Sequence, residues 1–300
     1  MHSLYPCIGF FDSGQGGLTL WEAVRSRWPN LNTLYLGDNA RYPYGNKSPE
    51  TLIRYTKEAI AHLHYHGAEM VIVACGTASS VAVQHVQNNY VFPVHGIVEG
   101  FCEQAFRALA SAQGAIGILG TRFTVESGRF FDVLRRLGAQ QVWSKACPLF
   151  VPIVEEGVVQ GNIAESVVDM YLNDIPSDIQ VLMLACTHFP RLAKVIARYL
   201  AERFQRPVKL HSVHGDLCLA GNAFNADNAI ILLDSSPAIV SNIERFIQQH
   251  AQQSELFRGE HMIHCTDSPK TFERVARYFV NFDLPATEHI ELISLPYEQA

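Results

Sequence analysis

Val71–Thr77, VIVACGT, is an apolar run of strand length that ends in a cysteine followed closely by a threonine. Val181–Thr187, VLMLACT, repeats this pattern later in the chain. Such a run predicts a buried strand, so each thiol is placed where a strand opens into a loop. Two thiols that face one substrate suit removal of a proton from one side of a carbon and delivery of a proton to the other side.

Strand-like runs alternate with helical patterns along the rest of the chain. This alternation predicts an α/β fold of mainly parallel sheets flanked by helices. The length of 300 residues and the repeated motif indicate two similar domains, with an active site in the cleft between them. Strands are predicted at Ile8–Phe11, Leu34–Gly37, Met70–Ala74, Ala115–Gly120, Val181–Ala185 and Ile230–Leu233. Helices are predicted at Leu18–Trp28, Pro49–His66, Gly100–Ala112, Val125–Leu137, Ile163–Leu172, Arg191–Phe204, Ile239–Gln252 and Pro269–Phe279, and His211–Ala229 as an irregular surface insertion.

Composition excludes several classes of protein. The formal net charge of -6, without a Lys/Arg cluster, argues against nucleic acid as a partner. No signal-type segment or membrane-length apolar run is present, so we expect a cytoplasmic protein without a membrane partner. The seven cysteines include no Cys-x-x-Cys pair, which predicts reduced thiols and excludes the usual zinc spacing.

A glycine-rich segment, Asp12–Gly17, follows the first predicted strand and opens a helix. It lacks the Gly-Lys-Ser/Thr ending of a phosphate loop, and Thr19 stands where a dinucleotide fingerprint needs glycine. Free N–H groups at the helix start and the Ser13 hydroxyl are therefore expected to hold a small anion such as a carboxylate. Asp12 either caps this helix or assists a cysteine or an ammonium group.

Three histidines, His62, His64 and His66, lie near the end of a predicted helix. His62 and His66 have the i, i+4 spacing of metal ligands. Because no third ligand motif accompanies them, they are interpreted as solvated histidines, and no metal is assigned.

A set of motifs covering nearly the whole chain resembles the glutamate racemases. The motifs are Phe11–Leu18, Gly37-Asp38, Pro43–Gly45, Ala74–Ser79, Gly120-Thr121, Cys147–Pro152 with Glu155, and Cys186–Pro190. The resemblance implies a racemase without pyridoxal or another cofactor, which makes D-glutamate for peptidoglycan and forms a homodimer. It also implies an inserted second domain, with residues 1–97 and 210–300 in the first domain and 98–209 in the second.

The resemblance assigns the site by position. Cys75 and Cys186 correspond to the two bases, and Asp12, Glu155 and His188 to residues that support them. Substrate contacts would fall on Asp12, Ser13, Tyr44, Gly45, Gly76, Thr77, Thr121, Thr187 and His188. An α-proton is very weakly acidic, so one cysteine must be a thiolate while the other keeps its proton.

Gly76 departs from the family pattern, which usually has asparagine here. The amide offers both a donor and an acceptor to a substrate, whereas glycine offers only its backbone. Two alternatives therefore stay open: a racemase for another acidic amino acid such as aspartate, and a non-catalytic binding protein on this fold. The chain also starts almost at its first strand, without the N-terminal extension of members activated by a peptidoglycan precursor, so we expect no such dependence.

Overall fold

The computed structural model describes residues 6–109, 114–212, 215–220, 228–280 and 282–292. The chain divides into two compact units. The first unit holds the chain up to Ile97 and again from Ile239 onward, and the second holds Val98–Ala238. The first unit is therefore built from two separate stretches of sequence.

Strands and helices alternate through both units. The strands of the described residues are β1 (Cys7–Asp12), β2 (Thr33–Gly37), β3 (Ala68–Val73), β4 (Val94–Gly96), β5 (Ala115–Gly120), β6 (Gln141–Ala146), β7 (Ile179–Leu184), β8 (Val208–Ser212), β9 (Gly215–Ala220), β10 (Ile230–Leu233), β11 (His261–Cys265) and β12 (Thr287–His289). The α-helices of the same residues are α1 (Leu18–Arg27), α2 (Pro49–Tyr65), α3 (Gly76–Val81), α4 (Val83–Val86), α5 (Val98–Arg107), α6 (Arg122–Glu126), α7 (Arg129–Leu137), α8 (Phe150–Glu155), α9 (Asn162–Leu172), α10 (Ala193–Phe204), α11 (Val240–Gln249) and α12 (Pro269–Ala276).

Each unit is organised around one six-stranded sheet. The first sheet has the order β12-β11-β2-β1-β3-β4, and all of its neighbouring strands are parallel. The second has the order β6-β5-β7-β10-β8-β9 and is parallel except for the β8–β9 pair. The carboxyl ends of parallel neighbours lie at the same sheet edge, so the loops after β1 and β3 are adjacent, as are those after β5 and β7.

The apolar runs of the sequence form the middles of these sheets. β1, β2 and β5 are buried along their full length, and the last four residues of β3 and of β7 are buried as well. A parallel strand covered on both faces needs apolar side chains at nearly every position, which explains why apolar and polar residues do not alternate in these segments.

The sequence also determines where helices begin. At the start of α2 the Ser48 hydroxyl accepts a hydrogen bond from Thr51 N, and Pro49 lies in the first turn.

The predicted α/β class is confirmed, and all six predicted strands are present. The predicted helix Val125–Leu137 is two helices, α6 and α7. They are separated at Gly128, whose φ of +68° is a left-handed conformation that ends a helix. Within the described part of the chain, no helix has the length and apolar character that crossing a membrane requires.

The second domain boundary differs from the prediction. The sequence placed residues 210–300 in the first domain, but the chain returns to the first unit only at Ile239. The reason is that β8, β9 and β10 pair with the second sheet. The expectation of an irregular insertion over 211–229 is also wrong in part, because β8 and β9 form an antiparallel pair there; residues 213–214 and 221–227 lie outside the described residues.

Candidate active site

The first predicted base, Cys75, lies just beyond the carboxyl end of β3. Ala74 N donates to Phe11 O of the neighbouring strand β1 at 2.8 Å, which holds the strand end in place. Cys75 then precedes α3 as its N-cap residue, and Gly76 and Thr77 form the first turn of that helix. The side chains of Cys75 and Thr77 are 5% and 3% exposed. The motif therefore buries a thiol and a hydroxyl at the edge of the sheet.

Polar groups of Asp12 and Ser13, at the end of β1, lie near the Cys75 thiol. The thiol donates to the Ser13 hydroxyl, with Sγ and Oγ 3.6 Å apart. Burial, followed by the carboxylate of Asp12, raises the pKa of the Cys75 thiol from 9.0 to about 11, against the lowering effect of hydrogen bonds from Ala78 and Ser13. In the free protein at neutral pH, Cys75 is a protonated thiol.

The glycine-rich segment is folded tightly around Asp12. Gly14 N donates to Asp12 Oδ2 at 3.0 Å, and the Tyr35 hydroxyl donates to Gly14 O at 2.8 Å. A Cβ at Gly17 would lie 2.7 Å from Asp12 Cβ and 2.9 Å from Tyr35 Oη. Glycine is therefore needed here for close packing that holds the Asp12 carboxylate beside Cys75.

Gly17→Ala is expected to lower the free energy of unfolding by about 1–3 kcal/mol, because its methyl group would overlap Asp12 Cβ. Gly17 has φ -62° and ψ -13°, which alanine adopts without strain, so the cost is steric. Gly14→Ala is the matched control, since its Cβ would lie 3.6 Å from Tyr42, an ordinary contact. Urea unfolding of both variants measures the difference, and equal losses would contradict this account of the loop.

Tyr44 and Gly45, predicted to contact substrate, lie in a short 3₁₀ turn at Tyr44–Asn46. The Tyr44 hydroxyl is buried and donates to Asp38 Oδ2. Arg41 Nε donates to the same oxygen at 2.6 Å, and Thr266 Oγ1 donates to Asp38 Oδ1 at 2.9 Å. Burial, followed by Asp38, raises the pKa of Tyr44.

This network around Asp38 was missed by sequence reasoning as a functional unit. Arg41 also forms an ion pair with Glu58 of α2, so a half-buried cation links two carboxylates. The sequence did show Gly37-Asp38 after β2, which is the position where a functional acid is expected at a parallel sheet edge. The hydrogen bond to Asp38 therefore fixes the position of the Tyr44 side chain.

The second predicted base, Cys186, occupies the matching place in the second unit, just beyond β7. Cys186, Thr187 and His188 are 8%, 5% and 3% exposed. Phe189 N donates to Cys186 O at 3.0 Å, which begins the 3₁₀ turn Phe189–Leu192. The turn reverses the chain directly after the strand and keeps all three side chains at the sheet edge.

His188 joins Cys186 to Glu155. Its Nδ1 lies 3.9 Å from Cys186 Sγ, and its Nε2 lies 3.0 Å from Glu155 Oε1. A carboxylate accepts hydrogen bonds, so Nε2 carries a proton, and Nδ1 is the ring nitrogen that faces the thiol. This arrangement is that of a nucleophile or base with a histidine oriented by a third group.

The remaining predicted residue, Thr121, follows β5, the strand beside β7. It caps α6: its hydroxyl oxygen accepts from Thr124 N at 3.3 Å and lies 2.9 Å from Thr124 Oγ1. Thr121 is half-buried at the same sheet edge as Cys186. Cys147 is fully buried, and burial raises the pKa of its thiol strongly, as expected of a cysteine with a packing role.

The predicted residues thus form two groups, one in each unit. The first unit brings together Asp12, Ser13, Tyr44, Gly45, Cys75, Gly76 and Thr77, and the second Thr121, Glu155, Cys186, Thr187 and His188. We call them the Cys75 half-site and the Cys186 half-site. The two thiols differ in their partners: a nearby carboxylate for Cys75, and the imidazole of His188 for Cys186.

Comparisons with known proteins identify relatives of the chain. A family model described as Asp/Glu/Hydantoin racemase matches residues 19–214. A glutamate racemase of Aquifex aeolicus is 45% identical over 193 residues, which are 64% of this chain and 75% of that protein. A glutamate racemase of a Sulfurihydrogenibium species is 34% identical over 291 residues, 96% of this chain and 98% of that one. The crystal structure of Francisella tularensis glutamate racemase with D-glutamate aligns with a TM-score of 0.79 at 26% identity, covering 97% of this chain and 100% of that one.

These similarities extend well beyond the short cysteine motifs. The family model covers more than half of the chain, and the relative from Sulfurihydrogenibium aligns over nearly its whole length. The chain belongs to the Asp/Glu/hydantoin racemase family.

Proposed function

We propose that this protein interconverts L-glutamate and D-glutamate, with the thiols of Cys75 and Cys186 acting on opposite faces of the substrate Cα. The observation that carries the proposal is the pair of buried cysteines beyond β3 and β7, each with its own group for controlling a proton. The relatives are glutamate racemases, which favours glutamate over aspartate and a racemase over a non-catalytic binding protein.

The reaction needs one thiolate and one thiol. The thiolate takes the α-proton and becomes a thiol, and the electron pair of the broken C–H bond stays on the substrate. The opposite thiol then donates its proton to the other face of Cα and becomes a thiolate. The configuration is inverted, no electrons are exchanged, and the proton balance closes. The reverse reaction uses the same two groups in exchanged roles.

The two half-sites indicate which thiol starts in which form. Cys75, whose pKa is raised to about 11, begins as the proton donor. The Nδ1 acceptor of His188 faces Cys186, so His188 takes the thiol proton and leaves a thiolate beside an imidazolium. Glu155 stabilises that imidazolium through Nε2. We therefore assign Cys186 as the first base of the free protein.

Three buried hydroxyls belong to the two half-sites. The hydroxyls of Ser13, Thr77 and Thr187 are each less than a tenth exposed. Hydrogen bonds to a charged group are worth about 1.5–3 kcal/mol, more than those between neutral groups. In this assignment these donors hold the α-carboxylate and stabilise the charge that develops on it as the proton leaves. Tyr44 and Gly45 shape the substrate pocket, and Gly76 contributes its backbone.

Glu155→Gln is expected to lower kcat by about tenfold or more, because the neutral amide still accepts from His188 Nε2 but no longer stabilises the imidazolium. Glu156→Gln is the matched control, being the next residue along and exposed. Steady-state kinetics measures the effect, and an unchanged kcat in Glu155→Gln would remove Glu155 from the proton path.

The proposed function is tested by following optical rotation of L-glutamate and, in parallel, L-aspartate with purified protein and no added pyridoxal phosphate. Loss of rotation with glutamate alone supports the proposal and shows that Gly76 is tolerated. Turnover of aspartate alone would show that aspartate, and not glutamate, is the substrate. Binding of either amino acid without turnover would support a non-catalytic binding protein. Homodimerisation, cofactor independence and supply of D-glutamate to peptidoglycan stay predictions.

A further inference from the structure

A second cluster of chemistry-bearing side chains lies in the first unit, among residues to which the proposed reaction gives no role. One ring nitrogen from each of His62, His66 and His264 lies within 4.8 Å of the other two. The ring centroids are 4.5 Å apart for His62–His66, 5.1 Å for His62–His264 and 4.9 Å for His66–His264. We call these three residues the histidine cluster.

The fold brings the cluster together from distant parts of the chain. His62 lies in the last turn of α2 and His66 is its C-cap, so the i, i+4 spacing puts both rings on one face of the helix. His264 lies on β11, 202 residues after His62. The interpretation of His62 and His66 as solvated is wrong: both are half-buried, and His264 is 1% exposed. The third ligand was invisible in the sequence because only the sheet order places β11 beside β2.

Hydrogen bonding within the cluster is incomplete. His62 Nε2 and His264 Nδ1 are 2.8 Å apart and share one proton. His264 Nε2 is buried and has no hydrogen-bond partner among the described residues. Glu288 Oε2 of the neighbouring strand β12 is 3.8 Å from this nitrogen, beyond hydrogen-bond distance. A buried ring nitrogen without a partner is costly and asks for an explanation.

We propose that the histidine cluster is a binding site for one divalent transition-metal ion, of which Zn²⁺ is the best match. Three imidazoles are a donor set that Zn²⁺ accepts, with a fourth ligand from water or a carboxylate. The half-exposed position of His66 gives the ion access, and Glu288 is the nearby carboxylate.

The geometry is close to what such an ion requires. Two nitrogens bound to one tetrahedral Zn²⁺ at about 2.0–2.1 Å lie roughly 3.3 Å apart. The His62–His264 pair would therefore separate by roughly half an ångström as the ion enters and the shared proton moves, through water, to the other nitrogen of its own ring, a shift that side-chain rotation supplies. The ligand nitrogens all lie within 4.8 Å of one another, so the His66 ring would move toward the other two by up to about 1.5 Å to reach the same separation.

The position in the fold gives the ion a structural role. It would join the end of α2 to β11, two segments that the inserted second unit separates in sequence. A cross-link between distant segments restricts the unfolded chain, and an ion that binds only the folded state raises its stability in proportion to occupancy. The site is independent of the proposed racemase reaction.

The test uses full-length metal-free protein carrying Cys75→Ser and Cys186→Ser, so that these thiols do not bind the probe. Titration with Co²⁺ is expected to give one equivalent of a visible d–d absorption without the near-ultraviolet band of a cobalt–thiolate site. Zn²⁺ should displace the Co²⁺ and raise Tm. His66→Gln, at the accessible helix end, is expected to bind more than about tenfold more weakly. His85→Gln is the matched control because His85 is exposed and outside the cluster.

Three results would overturn the proposal: no Co²⁺ or Zn²⁺ uptake, uptake that His66→Gln leaves unchanged, or a cobalt spectrum with thiolate bands. Because His264 is buried, His264→Gln serves as the second variant, with circular dichroism as the folding check. A folded His264→Gln protein that still binds one Co²⁺ would also exclude the cluster as the site.

Discussion

Cys75→Ala and Cys186→Ala are each expected to lower the rate of glutamate racemisation by about 10³-fold or more. In each variant one face of Cα loses its only proton donor or acceptor. Both side chains are small and almost fully buried, and neither belongs to a strand or to the regular part of a helix. We therefore expect both variants to fold. Steady-state racemisation and circular dichroism together measure the effect.

A control and a finer readout belong to this test. Cys218→Ala removes the exposed cysteine of the second unit and is expected to leave the rate unchanged. Each single variant keeps one thiol, so it should still exchange the α-proton of one enantiomer with solvent while failing to invert it. Full racemisation in either variant would contradict a mechanism that needs both thiols.

Asp12→Asn is expected to lower kcat by about 10²-fold or more, because it removes the buried charge beside Cys75. The substitution keeps the shape of the side chain, and an amide oxygen still accepts from Gly14 N, so the loop should stay folded. Asp12 raises the pKa of Cys75, and its neutralisation therefore lowers that pKa.

The pH dependence of Cys75 alkylation reports this change in pKa, and it would not change if Asp12 served only to pack the loop. In the free wild-type protein, alkylation of Cys75 should increase only as the pH approaches about 11, and in Asp12→Asn the increase should occur at lower pH. Asp132→Asn, at an exposed position of α7, is the matched control for charge removal. An unchanged alkylation profile together with normal kcat would show that Asp12 acts on neither thiol.

The central parts of both sheets were predictable from sequence, because a buried parallel strand needs a nearly continuous apolar run. β1, β3, β5 and β7 all carry such a run. Edge strands escaped prediction. β6 is half-exposed along most of its length, and β12 has three polar residues, so neither carries a burial pattern.

The candidate site was predictable where residues adjoin a strand end, as Asp12, Cys75 and Cys186 do. Contacts that depend on tertiary structure were not. His188 and Glu155 are 33 residues apart, and the family resemblance gave each a supporting role without predicting the contact between them. The histidine cluster depends on the register of β11 beside β2, which no local pattern encodes. The boundary at Ile239 likewise depends on which sheet β8 and β10 join.

The central claim, proton transfer by two separate thiols, is tested most directly by isotope labelling of the first turnovers. Protiated L-glutamate is incubated in D₂O, and early samples are separated into enantiomers and analysed by proton NMR. The account predicts D-glutamate that carries deuterium at Cα, because its proton comes from a solvent-equilibrated thiol, alongside remaining L-glutamate that is still protiated. Early D-glutamate that retains the original proton would show that one group serves both faces, and it would contradict the two-thiol mechanism.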